Sequence, residues 1–191
     1  MEHMIIQTIP ESEATGLVAE SYAADRADLG YVPLHTKAMN LNPEALQAFE
    51  QLTGAIGGAL GTRRYRLVTL AAARGARSAH CRLAHGRASL ALFDEDQLTG
   101  IALDYRSAGL SDAEVAMMEF AEKVSRDASS MTDDDSRRLR EHGFSDTEIV
   151  NIALAAAVRN YYSRAVQALA IEVEELPGLS ASLHAALVSG L

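Results

Sequence analysis

One cysteine, Cys81, occurs in the 191 residues. That scarcity excludes an intrachain disulfide framework and leaves either a free cytosolic thiol or a bridge to another molecule. Aromatic residues are few as well, at 5%, while alanine and leucine are abundant, a balance that suits packed helices better than sheets. No stretch alternates apolar and polar residues long enough to make a strand. Basic residues are outnumbered, with a formal charge of −9 and a pI near 5.1. This argues against a nucleic-acid partner, because phosphate contacts need a basic face. The longest apolar run, Ile149–Ile171, is broken by Asn151, Arg159, Asn160, Ser163, Arg164 and Gln167. So many polar groups are too costly for a membrane span, and a buried central helix fits better. The first residues lack a basic region followed by an apolar core, so no secretory signal is expected and the protein is read as soluble and cytoplasmic.

What is present is enough for one folded domain over residues 1–191. Hydrophobic residues make up 48%, ordinary for a globule with a sizeable core. Residues 1–10 read as extended up to Pro10. A first helix is expected from a Ser12 cap to Gly30, with Leu17, Val18 and Tyr22 on its apolar face. Leu29–Leu34 reads as a connector, and His35 and His142 are also expected in connectors. Asn42 before Pro43 is an N-cap with proline at the first helical position. That helix is expected to end in the glycines at 54, 57 and 58, and the next to run from Thr62 to Gly75. Three starts carry capping-box spacing: Asp94 with Gln97, Ser111 with Glu114, and Ser145 with Glu148. Thr132 with Asp135 opens a short charged helix to Glu141. The tail after Pro177 is expected to pack as a further turn or two of helix, or to reach a partner subunit. The fold class is all-α.

The stretch from Ser78 to His85 gathers the thiol and two histidines. On a helix, Ser78, Cys81 and His85 share one face, whereas His80 points nearly the other way. The set Cys81, Ala84, His85, Ala88, Ala91 and Leu92 follows the spacing of a buried stripe. A buried free cysteine usually serves as a small hydrophobe. Alternatively, an imidazole one turn away and the positive end of a helix favour a reactive thiolate. His80, Cys81 and His85 are chemically adequate metal donors, but two of them diverge on a regular helix, so no metal and no cofactor are expected. Arg159, Asn160 and Arg164 lie in the most apolar helix. At least one of them should be buried, most simply in an ion pair with Glu119, Glu122 or Glu172. Tyr31, Tyr161 and Tyr162 are candidates to line a cavity above Cys81.

The segment resembles the helix of alkylhydroperoxidases in the AhpD / carboxymuconolactone decarboxylase family, whose signature is Glu, eleven residues, then Cys-x-His-Cys-x-x-x-His. Cys81 falls on the second cysteine, His80 on the middle histidine and His85 on the last. The stretches Asp25–Pro33, Arg138–Ile149 and Asn160–Leu169 resemble the peroxidase-related branch. The resemblance implies an AhpD-like helical bundle and a homo-oligomer. Ser78 stands where the family has its first cysteine, and Arg66 where it has the glutamate of a proton relay. Serine forms no disulfide and arginine accepts no proton, so a two-cysteine peroxidase cycle within one chain is excluded. What the resemblance then implies is one-cysteine reduction of a hydroperoxide by Cys81, of peroxiredoxin type. Arg66 would supply a cation, Ser78 a hydrogen bond to the thiol and His85 a proton for the leaving oxygen. An external thiol would act as reductant. The alternatives are a scaffold that binds a small ligand or partner without turnover, and the lactone or decarboxylase chemistry of the wider family.

Overall fold

The computed structural model describes residues 5–191. Residues 1–4, part of the stretch expected to be extended, lie outside the described residues. Among the described residues there are ten α-helices and no strand. They are α1 (Gly16–Leu29), α2 (Leu34–Met39), α3 (Pro43–Leu60), α4 (Thr62–Gly75), α5 (Ala79–Ser89), α6 (Glu95–Asp104), α7 (Asp112–Asp127), α8 (Asp133–Glu141), α9 (Asp146–Ala168) and α10 (Ala181–Val188). Among the described residues no helix is long and apolar enough to cross a membrane.

The architecture is built around α4. Leu67 through Ala73 are all buried, so this helix has no wet side over two turns, as expected for a central element packed all round. It lies against α3, α5, α7 and α9. Small residues let its neighbours come close. At Gly75, an added Cβ would run into the backbone carbonyl of Glu122 on α7. The α4–α5 corner is sharp, with Arg77 in the left-handed region (φ 54°). It is tied down by the far end of α9: Gln167 Nε2 donates to the carbonyls of Ala76 and Arg77, both at 3.0 Å, and Arg164 donates to that of Ala76 at 3.3 Å.

The helix starts follow local chemistry. The side chains of Asn42, Ser78, Asp94, Ser111, Ser145 and Ser180 each accept from a backbone N–H three residues on, as N-caps do. Glu114 and Glu148 close full capping boxes. The Asp135 carboxylate accepts from Thr132 N at 2.7 Å.

Some expectations are corrected. Ser12 sits in a 3-10 turn, and α1 begins after Thr15. The glycines at 54, 57 and 58 do not end α3, which runs on to Leu60. The break falls at Gly61, whose φ of 76° with ψ of 153° is a backbone state for glycine, so a required dihedral rather than glycine content ends the helix. His35 lies in α2, not in a connector. The apolar stripe drawn along α5 is also wrong: Ala84, Ala91 and Leu92 are exposed, and the buried set is Cys81, Arg82, Leu83, Gly86 and Ser89. The tail explains part of this. It packs as α10 against α5 and α6, with Leu187 fully buried over Gly86, a contact no pattern within α5 could signal.

Gly75→Ala should destabilise the fold by about 1–3 kcal/mol through overpacking against backbone, outweighing a helix-propensity gain of about 1 kcal/mol. Gly86→Ala meets the Leu187 side chain rather than backbone and should cost less. Denaturant midpoints of the two variants, measured side by side, check the order.

Candidate active site

Cys81 occupies the first turn of α5. The cap residue Ser78 accepts from Cys81 N at 3.4 Å, which points the open N–H end of the helix toward the sulfur's surroundings and favours negative charge there. The side chain is 3% exposed. Its sulfur is met by two groups from α9: Ser163 Oγ donates at 3.1 Å and Arg159 Nη1 at 3.8 Å. Ser78 therefore does not donate to the thiol as expected. Its oxygen accepts from the backbone, and the hydroxyl that donates to the sulfur is that of Ser163.

Arg159 is the decisive group. It is 6% exposed and, among the described residues, forms no ion pair with a carboxylate. Its one hydrogen bond goes to Cys81 Sγ, and its Nε is buried without a partner. The guanidinium carbon lies 5.8 Å from the Phe49 ring centroid and 6.0 Å from that of Tyr162. The expected pairing of this helix with Glu119, Glu122 or Glu172 is overturned. Arg106 and Arg138 already hold Glu119, while Arg74, Arg126 and Tyr105 hold Glu122. Asn160 instead donates to Ser125 Oγ and Arg164 to Ala76 O.

His85 lies one turn beyond Cys81, with Nδ1 3.2 Å from Arg66 Nη1. Arginine only donates, so Nδ1 accepts and the ring proton sits on Nε2. Burial, with the Arg159 and Arg66 cations beside it, holds the imidazole well below its ordinary value of 6.5. His85 is thus a neutral hydrogen-bond donor at physiological pH. The cation that Arg66 was expected to supply to the sulfur meets His85 instead.

His80 is not part of this group. Its Nε2 lies 2.8 Å from the Glu172 carbonyl, and its ring meets that of His35 edge-on at 6.0 Å. Burial lowers the pKa of both, that of His35 to about 4 with His80 contributing.

A cleft of about 450 Å³ opens over the site, lined by α1, α2 and α3 and by His85, Arg159 and Tyr162. Arg159 is the side chain that both lines this cleft and touches the sulfur. Of the three tyrosines, Tyr162 lines it. Tyr161 is half-exposed beside an outer apolar groove between α3 and α9, and Tyr31 bonds to Glu175 O at 3.4 Å. Arg159 and Ser163, four residues apart on the buried face of α9, are the sulfur's partners that the sequence analysis undervalued. That i, i+4 spacing was the available signal.

Solved structures of similar shape place this arrangement among known proteins. An uncharacterized peroxidase-related protein from Ralstonia eutropha JMP134, described as an alkylhydroperoxidase AhpD core, aligns at TM-score 0.76 with 21% identity, over 90% of this chain and 93% of the other. A peroxidase-related protein from Silicibacter sp. TM1040 aligns at 0.76 with 25% identity, over 96% and 95%. The chain has the AhpD-like fold. The same fold is shared with the debrominase Bmp8, at TM-score 0.77 and 17% identity over 96% of each chain. A cysteine-to-alanine variant of Bmp8 has been solved with 2,3,4-tribromopyrrole. No protein-family profile matches the chain, and no curated protein matches it in sequence. Within the AhpD-like scaffold, and among the described residues, both groups that hydrogen-bond to the sulfur come from α9.

Arg159→Met should slow alkylation of Cys81 near neutral pH about tenfold, the loss of one charge-assisted hydrogen bond. The denaturation midpoint should hold or rise, since a buried cation without a carboxylate is removed. Loss of stability in step with reactivity would mark Arg159 as packing only.

Folding stability should also depend on pH through the three depressed histidines. Between the unfolded value near 6.5 and their lower folded values, the unfolded chain binds more protons. Their contribution is therefore complete above pH 6.5 and is lost as pH falls toward about 4. Depressed carboxylates such as Glu148 add to the loss only below about 4.5. Denaturant midpoints taken at intervals from neutral to mildly acidic pH check this, and a flat profile above 4.5 would contradict it.

Proposed function

We propose that the protein is a thiol-dependent, peroxidase-related oxidoreductase in which Cys81 alone carries the redox chemistry. The observation that carries this reading is the buried Arg159 guanidinium, whose only hydrogen-bonding partner among the described residues is the Cys81 sulfur. A buried cation calls for an anion, and here the thiolate is the anion in reach. Peroxidase-related proteins of the same fold support the family of chemistry.

In this reading the Cys81 thiolate attacks the terminal oxygen of an organic hydroperoxide. An S–O bond forms, the O–O bond breaks, and the alkoxide leaves as the alcohol once it has taken up the proton given up by the thiol. Sulfur is oxidised by two electrons to the sulfenic acid and the peroxide is reduced. Arg159 stabilises the thiolate before attack and, lining the cleft, the charge on the leaving oxygen during it. The Nε2–H of His85 serves as a second donor to that oxygen. This role needs no ionised imidazole, which suits a ring held neutral between two arginines. One external thiol then displaces water from the sulfenic acid to give a mixed disulfide, and a second releases Cys81 and a small disulfide. Ser78 takes no part as a resolving group, because a hydroxyl forms no disulfide.

A second reading follows from the cleft. Phe49 and Tyr162 line it beside Arg159, and a debrominase shares the fold. In this reading the thiolate attacks an aryl-bound bromine: an S–Br bond forms, the C–Br bond breaks and the aryl carbon takes up the proton given up by the thiol. One external thiol then displaces bromide from sulfur to give a mixed disulfide, and a second releases Cys81.

The test is trapping with dimedone after cumene hydroperoxide. One adduct per chain at Cys81, none in Cys81→Ser, and sustained consumption of an added small thiol are expected. Bromide release from 2,3,4-tribromopyrrole without any adduct from the peroxide would favour the second reading. Neither product would remove the enzyme and leave a binding scaffold.

A further inference from the structure

The cleft carries a charge pattern that peroxide chemistry does not require. Three carboxylates line it: Glu20 and Asp25 from α1 and Glu50 from α3. Glu20 and Glu50 are exposed and form its rim, whereas Asp25 is half-buried deeper in. Among the described residues none of the three has an ion-pair partner, although most other acidic groups near a basic side chain are paired. Asp25 accepts only from the Thr36 hydroxyl.

Asn40 is the independent observation. It lines the same cleft and is 1% exposed. Its Nδ2 donates to Thr36 O and to Ser21 Oγ, both at 2.9 Å. The carbonyl of Thr36 can only accept, so the amide orientation is settled and Oδ1 is the free end. That oxygen is buried with no partner. A buried, unsatisfied acceptor is costly unless something donates to it. All these acceptors come from α1, α2 and α3, whereas the donors Arg159 and His85 come from α9 and α5.

We infer that the cleft binds an organic molecule bearing a protonated amine, with the ammonium held by Glu20, Asp25, Glu50 and the free Asn40 carbonyl oxygen, and the uncharged remainder directed to Arg159 and His85. The positive charge of an ammonium matches the three carboxylates, and one of its N–H bonds supplies the donor that Asn40 Oδ1 lacks. An anionic substrate would meet the acidic rim first and be repelled. The orientation of the remainder rests on the proposed role of Cys81. Recognition of the ammonium does not.

The experiment uses the full chain carrying Cys81→Ser, so that binding is read without turnover. The probes are 2-phenylethylamine, the similarly sized neutral 2-phenylethanol and the anion 3-phenylpropionate, titrated calorimetrically near neutral pH at low salt. The amine should bind at least about tenfold tighter than the alcohol and the carboxylate weakest, with the preference reduced at high salt. Replacing the two exposed rim residues together, Glu20→Gln with Glu50→Gln, should weaken amine binding about tenfold and leave the alcohol unchanged. Asn40→Leu should act in the same direction where it folds, and the rim variant decides where it does not. An amine that binds no tighter than the alcohol, or that is indifferent to the rim substitutions, overturns the inference. Because the tested protein lacks the thiol, failure here leaves the peroxidase reading standing, and absence of sulfenic acid in the native chain leaves this one standing.

Discussion

A guanidinium buried without a carboxylate is the constraint on which the site depends. Arg159 sits in the inner face of α9, between the aromatic rings of Phe49 and Tyr162 and the sulfur of Cys81. Removing such a charge from water is expensive unless an opposite charge accompanies it. Ser163 is neutral, and burial, with the Arg159 and Arg66 cations beside it, keeps His85 neutral. Arg159 is the cation that meets the sulfur, and Arg66 the one that meets the imidazole. The same arrangement removes His85 from the list of bases.

The rest of the fold exists, in effect, to keep that contact. α4 is buried over two turns and carries α5 and α9 on its flanks. The corner between α4 and α5 aims the first turn of α5 at α9, and α9 itself fastens that corner through Gln167 and Arg164. One long helix thus both fixes the position of Cys81 and provides the groups that meet its sulfur. α10 closes the other side of α5 over Gly86. Rigid elements on both sides suit a site whose distances matter.

The structural relatives illustrate how far a fold can be read. Peroxidase-related proteins and a debrominase share this scaffold at similar TM-scores, so the fold by itself selects no chemistry. Selection falls to the side chains. Where the family signature would have its first cysteine and its glutamate, this chain has Ser78, which caps α5, and Arg66, which meets His85. Both fit the proposed reading, in which a single thiol is activated electrostatically.

Much was legible in the chain itself. The helix starts at Asn42, Asp94, Ser111, Thr132 and Ser145 were readable because a cap and its backbone partner lie three residues apart. The all-α class and the bounds of α4 followed from composition and from punctuation by glycine. The resemblance around Cys81 pointed to the right helix, and Arg66 with His85 to the right neighbour. What failed did so for one reason. The partners of Arg159, the place of Ser163, the seat of Leu187 over Gly86 and the orphaned oxygen of Asn40 are set by contacts between residues tens of positions apart, and local spacing carries no information about them. The sequence by itself determined which segments would be helical and which single residue could do redox chemistry. Only the tertiary structure decided which cation faces that sulfur, because competing carboxylates were claimed by other helices once the bundle had packed.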